Sequence, residues 1–327
     1  MSHSSVSVAM CTYNGSRYVA EQLQSIAEQT TPPEEMVICD DHSSDRTAEV
    51  LQEFATHAKF RVRLIANPVT LGCAANFEQS IHLCGGEIIA LADQDDVWRP
   101  GKLAAIINAF AHQPKAAYVF TDGDIIDECG QPLGFSLWQT VGVEARQFAP
   151  ARQTALLLRR NLVTGAAMAF RRWLLDIVLP IPAAWKHDYW IALLGSTFSF
   201  GVPLAERLLL YRRHLRQEIG CGRVSLVPRV RASLEIEADY RVKAERLAEL
   251  RARALARSRL YPCEYSRLQM IAEKEVHLWS RAAIRSERGG ARITRLLREA
   301  ASGRYKKFSS SWSSVVRDLI ATPQQVR

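Results

Sequence analysis

Met36-Val37-Ile38-Cys39-Asp40-Asp41 and Ile88-Ile89-Ala90-Leu91-Ala92-Asp93-Gln94-Asp95-Asp96 are two short apolar runs that each finish in carboxylates. An apolar run of this length without polar alternation marks a strand covered on both faces, as in a parallel sheet. Ligands of open α/β sheets bind outside the carboxyl ends of such strands. Aspartates gathered there suit a divalent cation and the diphosphate that it neutralises.

The flanking sequence repeats the same unit. Val6-Ser7-Val8-Ala9-Met10 is a first β-type run, followed by Val19, Leu23, Ile26 and Ala27 at helical spacing. Beyond Asp41, Ser43, Ser44 and Asp45 supply capping side chains for a helix with Thr47, Val50, Leu51 and Phe54 on one face. Arg61-Val62-Arg63-Leu64-Ile65 alternates as a half-exposed strand does, and Phe77, Ser80, Ile81 and Cys84 return to helical spacing. Pro100 then starts a helix burying Leu103, Ile106, Ile107 and Phe110, and Tyr118-Val119-Phe120 is a further strand. Repeated strand-helix units predict an α/β fold with a doubly wound, mainly parallel sheet flanked by helices and joined by right-handed crossovers. Neither a G-x-G-x-x-G turn nor a P-loop is present.

The 327 residues, 48% hydrophobic and 23% charged, suffice for one large domain or a domain with an appendage. No apolar run approaches the ~20 residues that span a bilayer, and the polar first residues lack signal-peptide order, so the expected location is the cytoplasm. Seven cysteines, odd in number and without a Cys-x-x-Cys pair, read as reduced core residues. Charge is unevenly divided. Residues 1–222 carry 19 Lys and Arg against 23 Asp and Glu, and residues 223–327 carry 23 against 11.

Three blocks carry a family resemblance: Val8-Ala9-Met10-Cys11-Thr12-Tyr13-Asn14-Gly15, Cys39-Asp40-Asp41-His42-Ser43-Ser44-Asp45-Arg46-Thr47 and Leu91-Ala92-Asp93-Gln94-Asp95-Asp96-Val97-Trp98. In order and spacing they resemble the signatures of family-2 glycosyltransferases with the GT-A fold, over roughly residues 5–220. Asn67-Pro68 to Gly72, Asn76-Phe77, His187-Asp188-Tyr189-Trp190 and Tyr211-Arg212-Arg213-His214 resemble the rhamnosyltransferase-like branch of bacterial surface-polysaccharide enzymes. The resemblance implies a GT-A catalytic domain over 1–222, with a nucleotide-sugar half to about 125 and an acceptor half from 126. A helical basic extension, 223–327, follows.

The implied reaction is an inverting, metal-dependent transfer of a sugar from a nucleotide-diphosphate donor, dTDP-rhamnose or a UDP-hexose, to a hydroxyl of a glycan or lipid-linked glycan. The resemblance sets Cys11, Tyr13, Asn14, Asp41, Asp93 and Asp95 against the donor. Tyr13 offers a flat face to a base, and Asn14-Gly15 turns the chain close to the ligand. Asp41 is suited to accept the N3–H of uracil or thymine. Asp93, Asp95 and Asp96 lie too close in sequence to remain ionised without a counter-charge, and Mn2+ or Mg2+ supplies one while leaving coordination positions for phosphate. Asp95 touches the donor, and either Asp95 or Asp96 reaches the metal. His214 completes the metal shell or contacts the diphosphate, and Arg212 neutralises the leaving group.

Transfer also needs a base for the acceptor hydroxyl. Asp188 is the candidate, at the head of the apolar run Ile191-Ala192-Leu193-Leu194 and among Trp185, Tyr189 and Trp190, which partly exclude water. Asn161 to Phe170 resembles the acceptor-side lining, where Gly165, Ala166 and Ala167 let a sugar approach the backbone, while Met168 and Phe170 read as core.

The extension shows stripes at helical spacing, Ile293, Leu296, Leu297 and Ala300, then Trp312, Val315, Val316, Leu319 and Ile320, with arginines on the other faces. They either pack on the catalytic domain or dock on an anionic inner-leaflet membrane surface as a peripheral protein. Two rival readings are a catalytically silent nucleotide-sugar binder and, from the pI near 9.2, a nucleic-acid-binding protein. The tail has few aromatic residues among its basic ones, so nucleic acid is not the expected partner.

Overall fold

A computed structural model describes residues 4–214, 240–309 and 312–320. The chain forms two compact units, Met1–Gln153 with Asn161–Arg223, and Thr154–Arg160 with Val224–Arg327.

The first unit is built on one nine-stranded sheet. Its strands are β1 (Val6–Thr12), β2 (Glu35–Asp40), β3 (Arg61–Ala66), β4 (Ile88–Asp93), β5 (Val97–Trp98), β6 (Tyr118–Ile126), β7 (Pro132–Ser136), β8 (Met168–Arg171) and β9 (Gly201–Arg212). Its helices are α1 (Val19–Ala27), α2 (Thr47–His57), α3 (Cys73–Leu83), α4 (Lys102–His112), the short α5 (Leu137–Val141) and α7 (Leu175–Val178), and α8 (His187–Phe198), while the short α6 (Gln153–Leu157) belongs, from Thr154 on, to the second unit. Pro100 lies two residues ahead of α4, whose N-cap is Gly101.

The order along the sheet is β3-β2-β1-β4-β8-β6-β9-β5, with β7 beside β6. From β3 to β4 the strands are parallel. Beyond β4 the sheet becomes mixed, because β8 runs antiparallel to both β4 and β6, while β9 is parallel to β6. Residues Val6 to Met10 of β1 and Ile88 to Ala92 of β4 are buried, which explains their unbroken apolar runs. Each of Ile88, Ile89 and Leu91 contributes about 1.5–3 kcal/mol by leaving water. The edge strand β3 is largely exposed and keeps its alternating arginines.

The chain steps from β1 outward to β2 and β3, then returns to the other side of β1 as β4. The order therefore reverses between β1 and β4, and a crevice opens at their carboxyl ends. Register places Cys11 beside both Cys39 and Asp93, and Thr12 beside Asp40, so the sequence blocks singled out above converge there.

The second unit is helical: α9 (Tyr240–Arg257), α10 (Tyr265–Ser286), α11 (Gly289–Ala301), α12 (Arg304–Phe308) and α13 (Trp312–Ile320). Leu247, Leu250, Leu268, Ile271, Leu278 and Ile284 fill its interior. Buried polar groups join α10 to the later helices. Asp318 accepts hydrogen bonds from Arg281 Nε at 2.6 Å and Tyr305 Oη at 2.7 Å, and His277 pairs with Glu299 at 2.6 Å. The six described cysteines are free thiols, and Cys221 lies outside the described residues.

Candidate active site

At the end of β1 the chain turns sharply, with Asn14 in the left-handed region at φ 46°. The turn is tied to the β2–α2 loop: Asn14 N donates to Ser43 Oγ at 2.9 Å, Ser44 N donates to Asn14 Oδ1 at 2.8 Å, and Gly15 N donates to Thr47 Oγ1 at 2.8 Å. Asp40 is part of this tie, accepting from Thr12 Oγ1 at 2.7 Å and Ser43 Oγ at 2.6 Å. Tyr13 remains 50% exposed and free to offer its ring to a flat ligand.

Asp41 is buried, and its carboxylate gathers the loop after β3. Oδ1 accepts from Asn67 Nδ2 at 3.0 Å and Leu71 N at 2.7 Å, and Oδ2 accepts from Gly72 N at 2.8 Å. A carboxylate has about four acceptor positions, so one is left for a ligand N–H. Cys11 sits between Cys39 and Asp93, and burial with those neighbours pushes its thiol well up, so it stays neutral.

The acidic turn after β4 is held from three sides. Gln94 clamps β1 to β4: its Oε1 accepts from Tyr13 N at 2.8 Å and its Nε2 donates to Tyr13 O at 3.0 Å. Gln22 Nε2 donates to Asp93 O at 3.0 Å. Arg212, expected at the leaving group, is instead buried behind the turn. Its Nε donates to Asp95 O at 2.9 Å, its backbone N–H to Asp96 Oδ1 at 3.0 Å, and its guanidinium pairs with Glu21 and lies 4.8 Å from the Tyr18 ring centre. The packing gives Arg212 a different place because a guanidinium enclosed in protein needs local acceptors.

Asp95 and His214 meet, with Oδ2 and Nε2 2.8 Å apart and both side chains largely covered. Asp96 does not share that contact. It is buried, and its Oδ2 has no hydrogen-bond partner. Burial, then repulsion from Asp95 and Asp93, holds its carboxyl well above the usual range. Among the described residues no three carboxylate, thiol or imidazole groups converge closely enough to cage an ion. The donor set fits a hard divalent ion that takes one or two protein ligands and fills its remaining positions with phosphate and water, and the unpartnered Asp96 oxygen in an under-compensated acidic turn fits a cation too.

Asp188 stands in the first turn of α8. Its Oδ1 accepts from Asn161 Nδ2 at 3.1 Å and Tyr189 N at 2.6 Å, and its Oδ2 accepts from Gly165 N at 3.2 Å. These donors fix the carboxylate's orientation. The neighbouring Trp185 packs against Tyr189 and Trp190, with ring centres 5.4 and 5.2 Å apart. His187 stacks on Phe77 at 4.0 Å, and burial lowers its pKa, so the ring is neutral near pH 7. A Cβ at position 165 would stand 2.8 Å from His187 Nε2, which is why glycine occupies the turn that donates to Asp188. The neighbouring Ala166 carbonyl accepts from the buried Lys102 Nζ at 2.7 Å. Burial pushes Lys102 down to about 7 against the opposing pull of Asp96 and Asp93, so one lysine links the acceptor-side turn to the acidic turn. Met168 and Phe170 are fully buried strand residues.

Several of these supports escaped the sequence reading. Gln94 lies inside the acidic motif, where its spacing from Asp93 was the available signal. Asn161 opens the segment that resembles an acceptor-side lining, but nothing local marks its bond to a carboxylate 27 positions away.

The sequence profile described as Glycosyl transferase family 2 matches residues 7–176. The chain belongs to glycosyl transferase family 2. It is 26% identical over 192 residues to an Escherichia coli UDP-Glc:alpha-D-GlcNAc-diphosphoundecaprenol beta-1,3-glucosyltransferase, covering 58% of this chain and 69% of that one. Two further relatives, from Nostoc sp. and Mycobacterium bovis, are 29% and 28% identical over 64% of this chain, which spans 65% and 59% of their own length. Among solved structures, Staphylococcus aureus TarS in complex with UDP-GlcNAc superposes with a TM-score of 0.60 at 15% identity, over 93% of this chain and 81% of that one. A Pyrobaculum calidifontis mannosyltransferase in complex with GDP-Man and Mn2+ gives a TM-score of 0.50 at 17% identity, over 97% and 86%. The fold of this family-2 member is GT-A, with helices following the sheet. No helix among the described residues is long and apolar enough to cross a membrane.

Proposed function

We propose that the protein transfers a sugar from a nucleoside-diphosphate donor to a hydroxyl of a glycan acceptor, with inversion at the anomeric carbon and Asp188 as general base. The reading rests most on the Asp188 carboxylate, held by Asn161, Gly165 and Tyr189 at the head of α8. An acceptor hydroxyl is too weak an acid to attack at neutral pH unless a base takes its proton, and a positioned carboxylate contributes ~10²–10⁴ in rate. Asp188 draws that proton as the oxygen bonds to the anomeric carbon, and the bond to the diphosphate breaks on the opposite face. Tyr13 and Asp41 border the base slot, Asn14 and Gln94 shape its floor, and Arg212 positions the acidic turn. Cys11 and Asp93 line the slot's inner end.

Asp95 and His214, with Asp96 behind them, would hold Mn2+ or Mg2+, which when bound neutralises the diphosphate as a Lewis acid. Residues 1–222 constitute the catalytic domain in this account and 223–327 an extension; the junction falls outside the described residues. Donor choice lies between dTDP-rhamnose, favoured by the branch-like motifs, and UDP-hexoses, and the acceptor is a glycan of surface polysaccharide. The Escherichia coli relative acts on a diphosphoundecaprenol-linked sugar, which supports a lipid-linked acceptor at the cytoplasmic face here.

The reading is tested by incubating the protein with a panel of nucleotide sugars, Mn2+ and a lipid-linked or synthetic glycan, following released nucleoside diphosphate and the product's anomeric configuration by NMR. Acceptor-dependent release with inverted configuration is expected. Retention of configuration, or donor binding without release across the panel, would overturn it.

A further inference from the structure

Two of the last helices of the second unit, α11 and α13, turn carboxylates inward and leave much of their apolar side exposed, although Leu296, Ala300 and Val315 pack inward. In α13 the buried residues are Ser314 and Asp318, at 1% and 0% exposure, whereas Trp312 is 74% exposed and Ile320 70%. Asp318 is what holds that polar face inward, through Arg281, Arg285 and Tyr305. Helix α11 follows suit, burying Glu299 with Leu296 and exposing Ile293 and Leu297. An amphipathic helix in water normally buries its apolar stripe, so an outward stripe marks a surface that meets something else.

Charge says what that is. Between positions 289 and 320 there are seven Lys and Arg and only two carboxylates, Glu299 and Asp318, and both carboxylates are buried. The surface of this segment is therefore apolar and cationic without exposed acid. Beside the α11 stripe lies a cleft of about 420 Å³ lined by Arg295, Arg298 and Arg304 with Ser280 and Thr294. Its two carboxylates, Glu287 and Glu299, each hold one of these arginines, Arg295 and Arg304 respectively, while Arg298 is exposed. Exposed tryptophan and aliphatic groups in a segment with an excess of basic residues match the boundary between acyl chains and anionic headgroups, and the arginine-lined cleft with its exposed Arg298 matches a phosphate.

We propose that α11 to α13 form a docking surface for an anionic phospholipid membrane, with Trp312, Leu319 and Ile320 entering the interface and Arg298 at the headgroup phosphate. The inference does not depend on the glycosyl-transfer chemistry proposed above, since it concerns a separate unit and is read without substrate.

The test is sedimentation of the full-length protein with vesicles of phosphatidylcholine alone and of phosphatidylcholine containing about one third phosphatidylglycerol, at low and high salt. The expected result is binding only to the anionic vesicles, reversed by salt. Arg298→Glu should weaken binding by about thirtyfold, near fivefold for each of two charge units. The double variant Trp312→Ser with Ile320→Ser should weaken it tenfold or more, at unchanged helical circular dichroism. Absence of binding to anionic vesicles, equal binding by the variants, or equal binding to neutral vesicles would overturn the proposal. Sedimentation velocity without lipid supplies the other arm: a dimer that Trp312→Ser converts to monomer would assign the surface to a second copy instead.

Discussion

Replacing Gly15 by alanine probes how the two carboxyl-end loops are held in register. A Cβ at position 15 would lie 2.1 Å from Gln94 Oε1 and 2.4 Å from its Cδ, so the Gln94 side chain must leave. It takes with it the hydrogen bonds to Tyr13 N and O, at 2.8 and 3.0 Å. At about 0.5–1.5 kcal/mol net for each, ~1–3 kcal/mol of loop positioning is lost. If that positioning is expressed in nucleotide binding, the affinity falls by about five- to 150-fold. The assay is calorimetric titration of a nucleoside diphosphate with Mn2+ into wild type, Gly15→Ala, Gln94→Ala and the double variant. Because the alanine methyl acts by evicting Gln94, the double variant should bind no more weakly than Gln94→Ala alone, a coupling that independent sites do not show. Wild-type affinity in Gly15→Ala, or additive losses in the double variant, would refute the clamp.

Three further outcomes are expected. Asn161→Ala, which removes one of the donors orienting Asp188, should lower kcat about tenfold with little change in donor KM; a change confined to KM, seen in initial-rate kinetics, would contradict the role given to Asn161. Chelation with EDTA should abolish transfer and Mn2+ restore it, and full turnover in excess chelator would remove the metal from the account. In the helical unit, burial alone would raise the Glu299 pKa, but the Arg304 and His277 hydrogen bonds outweigh it and bring it down to about 2. A depressed carboxylate stabilises the fold above its unfolded pKa and loses that contribution as pH falls through the folded value. Glu299→Gln should therefore cost roughly 2 kcal/mol at pH 7, after allowance for screening, and flatten the acid dependence between about 4.5 and 2 in urea unfolding curves; an unchanged acid limb would show the network to be idle.

The parallel half of the sheet was legible because burial on both faces demands unbroken apolar runs, and β1, β2 and β4 have them. Parallel strands also bring their carboxyl ends to one edge, so the convergence of Thr12, Asp40 and Asp93 followed from local pattern plus a handedness rule. The mixed half was not legible in that way. Met168 and Phe170 read as core, yet nothing in four residues tells that β8 will separate β4 from β6. Arg212 and Asp96 show a second limit. Sequence reading places charged side chains toward ligand or solvent, but a buried charge is stable where the fold supplies acceptors and donors, and these come from Glu21, Asp95 and the Arg212 backbone. The tail inverts the same assumption. Its apolar residues have helical spacing as expected, but Asp318 with Arg281 and Arg285 turns the polar side of α13 inward.

The measurement that bears most directly on the proposed chemistry is a comparison of wild type and Asp188→Asn in two assays, nucleotide-sugar affinity and single-turnover release of nucleoside diphosphate in the presence of acceptor. The amide keeps the shape of the carboxylate but cannot take the acceptor's proton. The account predicts donor affinity within about twofold of wild type and a rate lower by ~10²–10⁴. Near wild-type release by Asp188→Asn would contradict it.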